Sequence, residues 1–555
     1  MRKSGTNNGF KLNVISGTYV VMMGWHLPQN QCGGLMGFSI HRESPSENEA
    51  FYLKGMKVFP ETDPGFPPGS MYETSKQPIQ GFQWSDYSAK PGLTYTYTVT
   101  ALKGTPANLQ DFSSVSVVIT TESPENGDQD VYFNRGIAAS QEYVRRFGDQ
   151  RPEDVPNDKA FEWLSRGLYE ALESYINSCT PGTDELYIAA YEFYYDKVLL
   201  LIKNAIDRGV VVKFVYDARK DSPKIKNQEA MVTFGLDTHP FAFERTSPKS
   251  YISHNKFIVK VTNGVAKSVW TGGTNFSEGG IYGHSNVAHV VEDEAVAQKF
   301  KLYWDALVEK PEKSSTLKQR VEALSPLPVN NLTDGTHVVF SPRKTIDALD
   351  WYAQLAKNAQ EGLFMTFAFG MNDVFKDVYE NGQAPFRVAL LDKLTRGFRE
   401  PADKAAEEQK MQLLRNKKEN VFAVGNFVRT HKIDGWLKEK LTTLNFHVRY
   451  VHNKFMLIDP LSDSPIVVAG SANFSEASTI KNDENMVVVK GNTRVADMYL
   501  GEFMRLHTHH AFRESLAWRK PNDPPRPLGT GNWWQDYFGE TPRSIRRQFF
   551  ARLNE

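Results

Sequence analysis

The sequence predicts a multidomain protein: an N-terminal all-β sandwich followed by two α/β lobes of α-β-α layering, related by pseudo-twofold symmetry. Three observations predict it. Up to Thr120 the chain is a succession of short β-branched and aromatic runs separated by Gly/Pro turns. Beyond Asp128 helical and strand periodicities alternate, the grammar of sheets covered by helices. Two distant segments also share the same words at the same spacing.

In the sandwich region, the candidate strands are 18–22, 36–40, 93–100 and 115–120, and Asp63-Pro64-Gly65-Phe66-Pro67-Pro68-Gly69 is the densest turn cluster. Residues 14–25 are interrupted by Ser16, Gly17 and Thr18, so they read as a strand and not as a removable signal peptide. Pro91-Gly92-Leu93-Thr94-Tyr95-Thr96-Tyr97-Thr98-Val99 alternates with period two. It resembles the F-strand region of fibronectin type III domains, where a tyrosine near the strand start caps the corner. That resemblance implies a fibronectin type III-like domain over 1–125 and says little about activity.

After the polar linker 122–128, residues 161–176 have helical periodicity, 185–191 read as a strand, 198–208 as a helix and 210–216 as an apolar strand. Such runs suit a parallel or mixed sheet buried on both faces. A second pass follows, with helix 348–359, strand 363–369 and strand 386–391; the charged run 403–420 reads as a solvated helical insertion. The lobes are placed at 126–325 and 326–555.

Composition bounds what these parts can do. The chain has 555 residues, 65 Lys+Arg and 65 Asp+Glu, so its formal net charge is zero. That balance argues against a polyanion wrapped over the whole surface, while leaving room for a local basic cleft. Cys32 and Cys179 are the only cysteines, which excludes a disulfide scaffold or a thiolate-rich zinc site and leaves their pairing open. No run reaches the ~18 apolar residues of a spanning helix. A soluble protein is expected, in a bacterial cytoplasm or exported by a dedicated secretion system.

The repeat carries the chemistry. Ser253-His254-Asn255-Lys256-Phe257 precedes Gly272-Gly273-Thr274-Asn275-Phe276-Ser277-Glu278, and Val451-His452-Asn453-Lys454-Phe455 precedes Gly470-Ser471-Ala472-Asn473-Phe474-Ser475-Glu476. From His to Asn the offset is 275 − 254 = 21 and 473 − 452 = 21. On a strand, residues two apart share a face, so each His-x-Lys presents an imidazole and an ammonium together. Two such sets facing each other make a cradle for a phosphodiester. One imidazole attacks phosphorus and the other protonates the leaving oxygen, while lysines and amides neutralise the equatorial oxygens. Neither a metal nor a cofactor is required.

These segments resemble the phospholipase D superfamily, whose signature is His-x-Lys-x4-Asp followed by Gly-x-x-Asn, and the resemblance spans residues 130–515. The second copy is complete, with Asp459; the first has Val261 at that place. The superfamily often places an acid eleven residues after the motif Asn to orient a catalytic His. That position is Glu484 in the second copy and Asn286 in the first. The expectation is that Glu484 backs His452 and Asn286 backs His254. The resemblance implies a phosphohistidine intermediate, with His254 as nucleophile and His452 as general acid/base; the reverse assignment stays open. The expected catalytic set is His254, His452, Lys256, Lys454, Asn275, Asn473 and Glu484.

Blander readings accompany other features. Asn275 and Asn473 also begin Asn-Phe-Ser acceptor triplets, but glycosylation there would block the cradle, which favours a bacterial origin. His507, His509 and His510 lack the four-residue spacing of a helical zinc pair and read as helix-surface or lobe-contact residues. The basic, amphipathic tail 543–553 and the aromatics Trp533, Trp534, Tyr537 and Phe538 read as packing elements before membrane anchors. The expected activity is phospholipase D cleavage of phosphatidylcholine or phosphatidylethanolamine to phosphatidic acid and headgroup, with transphosphatidylation. The expected partner is a membrane surface touched transiently, and a monomer is expected because both half-sites lie on one chain. The alternatives are a nuclease of the same superfamily and a binding or assembly protein with the lobes as scaffold.

Overall fold

Alternating apolar residues in the N-terminal region drive ten short strands into three sheets. They are β1 (Arg2–Asn7), β2 (Phe10–Ser16), β3 (Val21–His26), β4 (Leu35–Ser44), β5 (Glu49–Tyr52), β6 (Lys54–Gly55), β7 (Tyr72–Glu73), β8 (Gln83–Asp86), β9 (Thr94–Thr105) and β10 (Asn108–Thr120). Two four-stranded sheets, ordered β1-β2-β3-β8 and β10-β9-β4-β5, hold the core, and β6-β7 form a small ribbon. Every pairing is antiparallel. The stretch 14–25, expected as one strand, is a hairpin. Gly17 turns the chain, its N–H donating to Val20 O at 2.8 Å, so the apolar runs on either side pair as β2 and β3. Tyr95 and Tyr97 alternate into the core, and Tyr95 OH accepts the Lys90 N–H at 2.9 Å.

This computed structural model describes residues 1–553 apart from 67–69, 126, 137–140, 149, 220, 247–250, 310–313, 329–330, 398–399, 426–450 and 518–526. The linker residue Asn126, where the first lobe was expected to start, lies outside them.

Among the described residues, the rest of the chain forms two seven-stranded mixed sheets. The first comprises β11 (Gln129–Phe133), β12 (Asp184–Ala190), β13 (Val211–Asp217), β14 (Ala242–Arg245), β15 (Lys256–Thr262), β16 (Val265–Gly272) and β17 (Val287–Val291). The second comprises β18 (Gly335–Ser341), β19 (Gly362–Phe367), β20 (Phe386–Leu391), β21 (Asn420–Val424), β22 (Phe455–Ile458), β23 (Ile466–Gly470) and β24 (Glu484–Lys490). Their orders, β11-β17-β16-β15-β12-β13-β14 and β18-β24-β23-β22-β19-β20-β21, correspond position by position. In each, three strands run parallel and the remainder antiparallel.

Both faces of each sheet are covered, as near-continuous apolar strands require. Leu186, Ile188 and Ala190 of β12 enter one core, while Tyr187 and Ala189 enter another with the helix Glu294–Val308. That second core also takes Val338, Phe340 and Val487 of the other sheet, so the lobes share apolar packing. The helix Thr493–Ala517 helps build a further shared core that gathers Ile15 and Met22 from the sandwich, Phe133 from β11 and Phe364 from β19. No described helix is long and apolar enough to cross a membrane.

Three local expectations need correction. The helix expected over 161–176 breaks into Lys159–Ser165 and Leu168–Asn177, because Arg166 (φ 50°) and Gly167 (φ 90°) take left-handed conformations. The charged run 403–420 is not simply solvated. Its helix, Pro401–Arg415, buries Glu407, Met411 and Leu414, with Glu407 paired to Lys376, and Asn420 already opens β21. The C-terminal tail does not stay with the second lobe alone: Trp534 sits in the sandwich core, while Phe549 and Phe550 enter the shared core. Gly24 of β3 makes that docking possible, since a Cβ there would overlap the Phe550 backbone. Cys32 and Cys179 are both free and buried.

Candidate active site

The motif residues lie where the two sheets meet. In β12–β15 pairing, Ala190 faces Lys256, and His254 lies two residues before that strand. Gly272 and Gly470 end β16 and β23, and a Cβ on either would overlap the carbonyl of the neighbouring chain, at Val287 or Asn485. The motif glycine, three residues before Asn275 or Asn473, is thus fixed by close backbone approach. Among the described residues, one isolated parallel bridge joins the lobes, Ser253 to Asp483. Through it His254 N–H donates to Asp483 O at 2.9 Å and Asp483 N–H to Ile252 O at 3.0 Å.

This bridge overturns the expected pairing of the histidines. His254 Nδ1 lies 2.8 Å from Glu484 Oε2, and His452 Nδ1 lies 2.8 Å from Asn286 Oδ1. Each orienting residue therefore serves the histidine of the other lobe. The physical reason is position: Glu484 and Asn286 stand at the edge where β24 and β17 begin, and that edge faces across the interface. Both contacts leave Nε2 as the ring nitrogen available to a substrate. Glu484 is itself fixed by Ser471, whose Oγ donates to Oε2 at 2.7 Å, and by Asn482 Nδ2 at 3.4 Å from Oε1. Asn286 Nδ2 donates to Gly280 O at 2.6 Å, which sets its oxygen toward the imidazole.

The electrostatics are those of two buried lysines beside the two motif histidines. Lys256 and Lys454 are each 1% exposed, and neither makes an ion pair among the described residues. Each ammonium donates to the carbonyl of its own motif histidine, at 2.5 Å from Lys256 and 2.6 Å from Lys454. Burial pushes Lys256 down to about 7 and, with the repulsion of Lys256, takes Lys454 well below its ordinary value. Burial also lowers His254, against the pull of Glu484, and it lowers His452 strongly, reinforced by Lys454 and His284. Asn275 and Asn473 are buried with amide oxygens that have no hydrogen-bond partner. Burial thus disfavours the charged forms of the lysines and histidines, and an anion placed between the lysines would restore them. Among the described residues, no group of three or more His, Cys, Asp or Glu could hold a metal ion. His507, buried on its helix, stacks on Phe503 with ring centroids 5.8 Å apart.

The structure adds residues that the motif did not name. Tyr191 packs edge-on against His254 at 4.9 Å, with Lys256 Nζ 5.1 Å from its ring centre, and His284 stands 5.4 Å from His452. Asp217 and Asp392 occupy matching places after the apolar residues of β13 and β20. Asp217 accepts the Ser253 N–H at 2.6 Å and Asp392 the Val451 N–H at 3.3 Å. Burial raises Asp217 and lifts Asp392 to about 7. Their signal was in the sequence, an acid ending an apolar strand in both passes, Val215-Tyr216-Asp217 and Leu390-Leu391-Asp392. Asp483, held by Arg219 and by Arg245 Nε at 2.9 Å, had no such signal, because its partners lie more than 230 residues away.

Comparisons with known proteins agree with this anatomy. Residues 172–308 and 396–507 match the family model described as "Cardiolipin synthase, PLD-like domain". No curated protein matches the chain. Among solved structures it is similar to phosphatidylserine synthase of Haemophilus influenzae Rd KW20, at 12% identity over 62% of this chain and 85% of that one, TM-score 0.43. It is also similar to the polyphosphate kinase of Porphyromonas gingivalis, at 8% identity, 82% and 70% coverage and TM-score 0.37. A third is yeast tyrosyl-DNA phosphodiesterase, at 14% identity, 58% and 87% coverage and TM-score 0.34. The two matched segments hold the two His-x-Lys/Asn sets and their orienting residues, and the chain therefore carries a phospholipase D-like domain in two segments.

Proposed function

We propose that this protein is a phosphodiesterase of the phospholipase D type that acts on glycerophospholipids through a phosphohistidine on His254. The crossed pairing carries the reading. A phosphorylated or protonated imidazole is cationic, and the carboxylate of Glu484 beside His254 stabilises that charge throughout the covalent stage. The amide of Asn286 orients His452 without adding negative charge, so the His452 imidazolium stays acidic and gives up its proton readily.

In the reaction, His254 Nε2 forms a bond to phosphorus while the bond from phosphorus to the headgroup oxygen breaks. His452 gives its Nε2 proton to that oxygen, and the headgroup leaves as an alcohol. His452 then takes a proton from water, whose oxygen attacks phosphorus and frees His254, leaving phosphatidic acid. An alcohol in place of water gives transphosphatidylation. Lys256, Lys454, Asn275 and Asn473 hold the equatorial oxygens. The incoming phosphodiester also supplies the negative charge that lets His452 bind its proton despite burial.

The choice of lipid rests on the zero net charge of the chain and on the lipid-synthase description of the matched family model. Two matching sheet orders support a pseudo-twofold relation of the lobes. A fibronectin type III-like sandwich is supported by the Tyr95 hydroxyl bonded to backbone upstream. The test is choline release from phosphatidylcholine vesicles in EDTA, with supercoiled plasmid in parallel. Vesicle cleavage lost in both His254→Ala and His452→Ala supports the proposal. Plasmid cleavage with intact vesicles moves the same cradle to a nuclease.

A further inference from the structure

Besides Glu484, which is answered by the neutral Asn286, one further charged group in the cleft lacks a charged counterpart in the other lobe. Ile188 faces Ile258 and Met365 faces Met456, each partner lying two residues past a motif lysine, so β12 and β19 align at Ile188 and Met365. Four residues further on stand Glu192 and Phe369. Every member of the phosphate cradle recurs in both lobes, but this carboxylate is answered by a phenylalanine that is 61% exposed. Glu192 is half-buried and follows Tyr191, the ring that touches both His254 and Lys256. Ser277, two residues past Asn275, donates its Oγ to Glu192 Oε2 at 2.5 Å. Among the described residues the carboxylate makes no ion pair.

An acid at the lip of an anion site opposes the phosphodiester, and its field is felt at both Lys256 and Lys454. That opposition is offset if the substrate brings a cation beside its phosphate. We infer that Glu192, held to the Asn275 loop by Ser277, is the acceptor for the ammonium group of a zwitterionic substrate, and so selects amine-bearing headgroups over neutral polyols. A carboxylate that makes no ion pair among the described residues can take an ammonium through a charge-assisted hydrogen bond. This rests on the phosphodiester reading of the cleft and adds the residue that selects the headgroup.

The experiment is calorimetric binding of glycerophosphocholine and of glycerophosphoglycerol to the full chain carrying His254→Ala, which prevents turnover. Glycerophosphocholine is expected to bind more tightly, and adding Glu192→Gln should cut that preference about tenfold. Glu192→Asp, which keeps the charge, should retain part of it and shows that the cleft is still folded. Equal affinity for the two probes before substitution, binding of neither, or a preference untouched by Glu192→Gln overturns the inference. Failure of the lipase reading is separate: there the binding preference persists while the otherwise unsubstituted chain releases no choline from vesicles.

Discussion

The two half-sites share one plan and differ in what stands behind each histidine. At the place eleven residues past the motif asparagine, the first lobe has Asn286 and the second Glu484, and each reaches across to the opposite lobe. One residue earlier, the first lobe has Ser285, whose Oγ accepts the His452 N–H at 3.3 Å, and the second has Asp483, buried between two guanidinium groups. One residue later, the first has Val287 and the second Asn485, whose side chain bonds Asn255 Oδ1 at 2.8 Å and Thr271 Oγ1 at 2.5 Å. All three differences concentrate polar support on the His254 side of the interface. The two half-sites thus differ in one imidazole backed by a carboxylate and one backed by an amide.

The sharpest way to break this comparison is to remove each histidine in turn. His254→Ala and His452→Ala should each lower kcat/KM on lipid by about 10⁴-fold or more. On a p-nitrophenyl phosphodiester, whose leaving group needs no proton, His452→Ala should recover much of its first-step burst and His254→Ala none. Equal behaviour of the two variants on both substrates would mean that the roles are not divided.

Next come the orienting residues. Glu484→Gln should cost about 10²- to 10⁴-fold in kcat, because the phosphoimidazolium loses its counter-charge, whereas Asn286→Ala should cost less. Asn286→Asp sharpens the point through pH. A carboxylate there favours the protonated form of His452, whose pKa is lowered in the native protein, so the alkaline limb of the kcat/KM profile should move to higher pH. A limb that stays in place, or moves to lower pH, would show that His452 is not the acid.

Stability should show the same asymmetry. Asp483→Asn leaves Arg219 and Arg245 buried without their counter-charge and should lower unfolding free energy by about 3–5 kcal/mol, measured by denaturant titration. The smallest contrast is between the two asparagines that lie between the motif His and Lys. Asn255 bonds Asn485 and, through Nδ2, Tyr303 OH at 3.1 Å, while the fully buried Asn453 has no side-chain partner among the described residues. Asn255→Ala should therefore cost about 1–3 kcal/mol, and Asn453→Ala clearly less, since no made hydrogen bond is lost. Equal costs would erase the difference between the half-sites at this level.

The missing acid of the first copy illustrates how a motif can vary without losing its site. Asp459 accepts the backbone N–H groups of Gln360, Glu361 and Gly362 at 2.7–3.0 Å and so caps the start of β19. In the first lobe that position is Val261, which enters the apolar core, and Asp184 at the start of β12 takes over by accepting Thr180 N–H at 2.8 Å and Thr262 Oγ1 at 2.5 Å. The acid has moved from one strand to its neighbour. Its task, fixing the far end of the strand pair, stays distant from the reacting atoms.

Local regularities were legible because short-range physics repeats them. Period-two runs give the strands of the sandwich, apolar runs give the covered strands of both lobes, and a 21-residue offset repeated twice gives the six residues that meet at the interface. A break such as Arg166–Gly167 was not legible, since helical periodicity runs across it and the left-handed turn is set by packing. The sequence by itself determined which His, Lys and Asn side chains recur in both half-sites. The tertiary structure alone decided which carboxylate stands behind which imidazole, because that is settled by strand edges meeting across an interface between residues 230 positions apart. A count along one lobe assigns Glu484 to its own histidine, and the packing of two lobes hands it to the other.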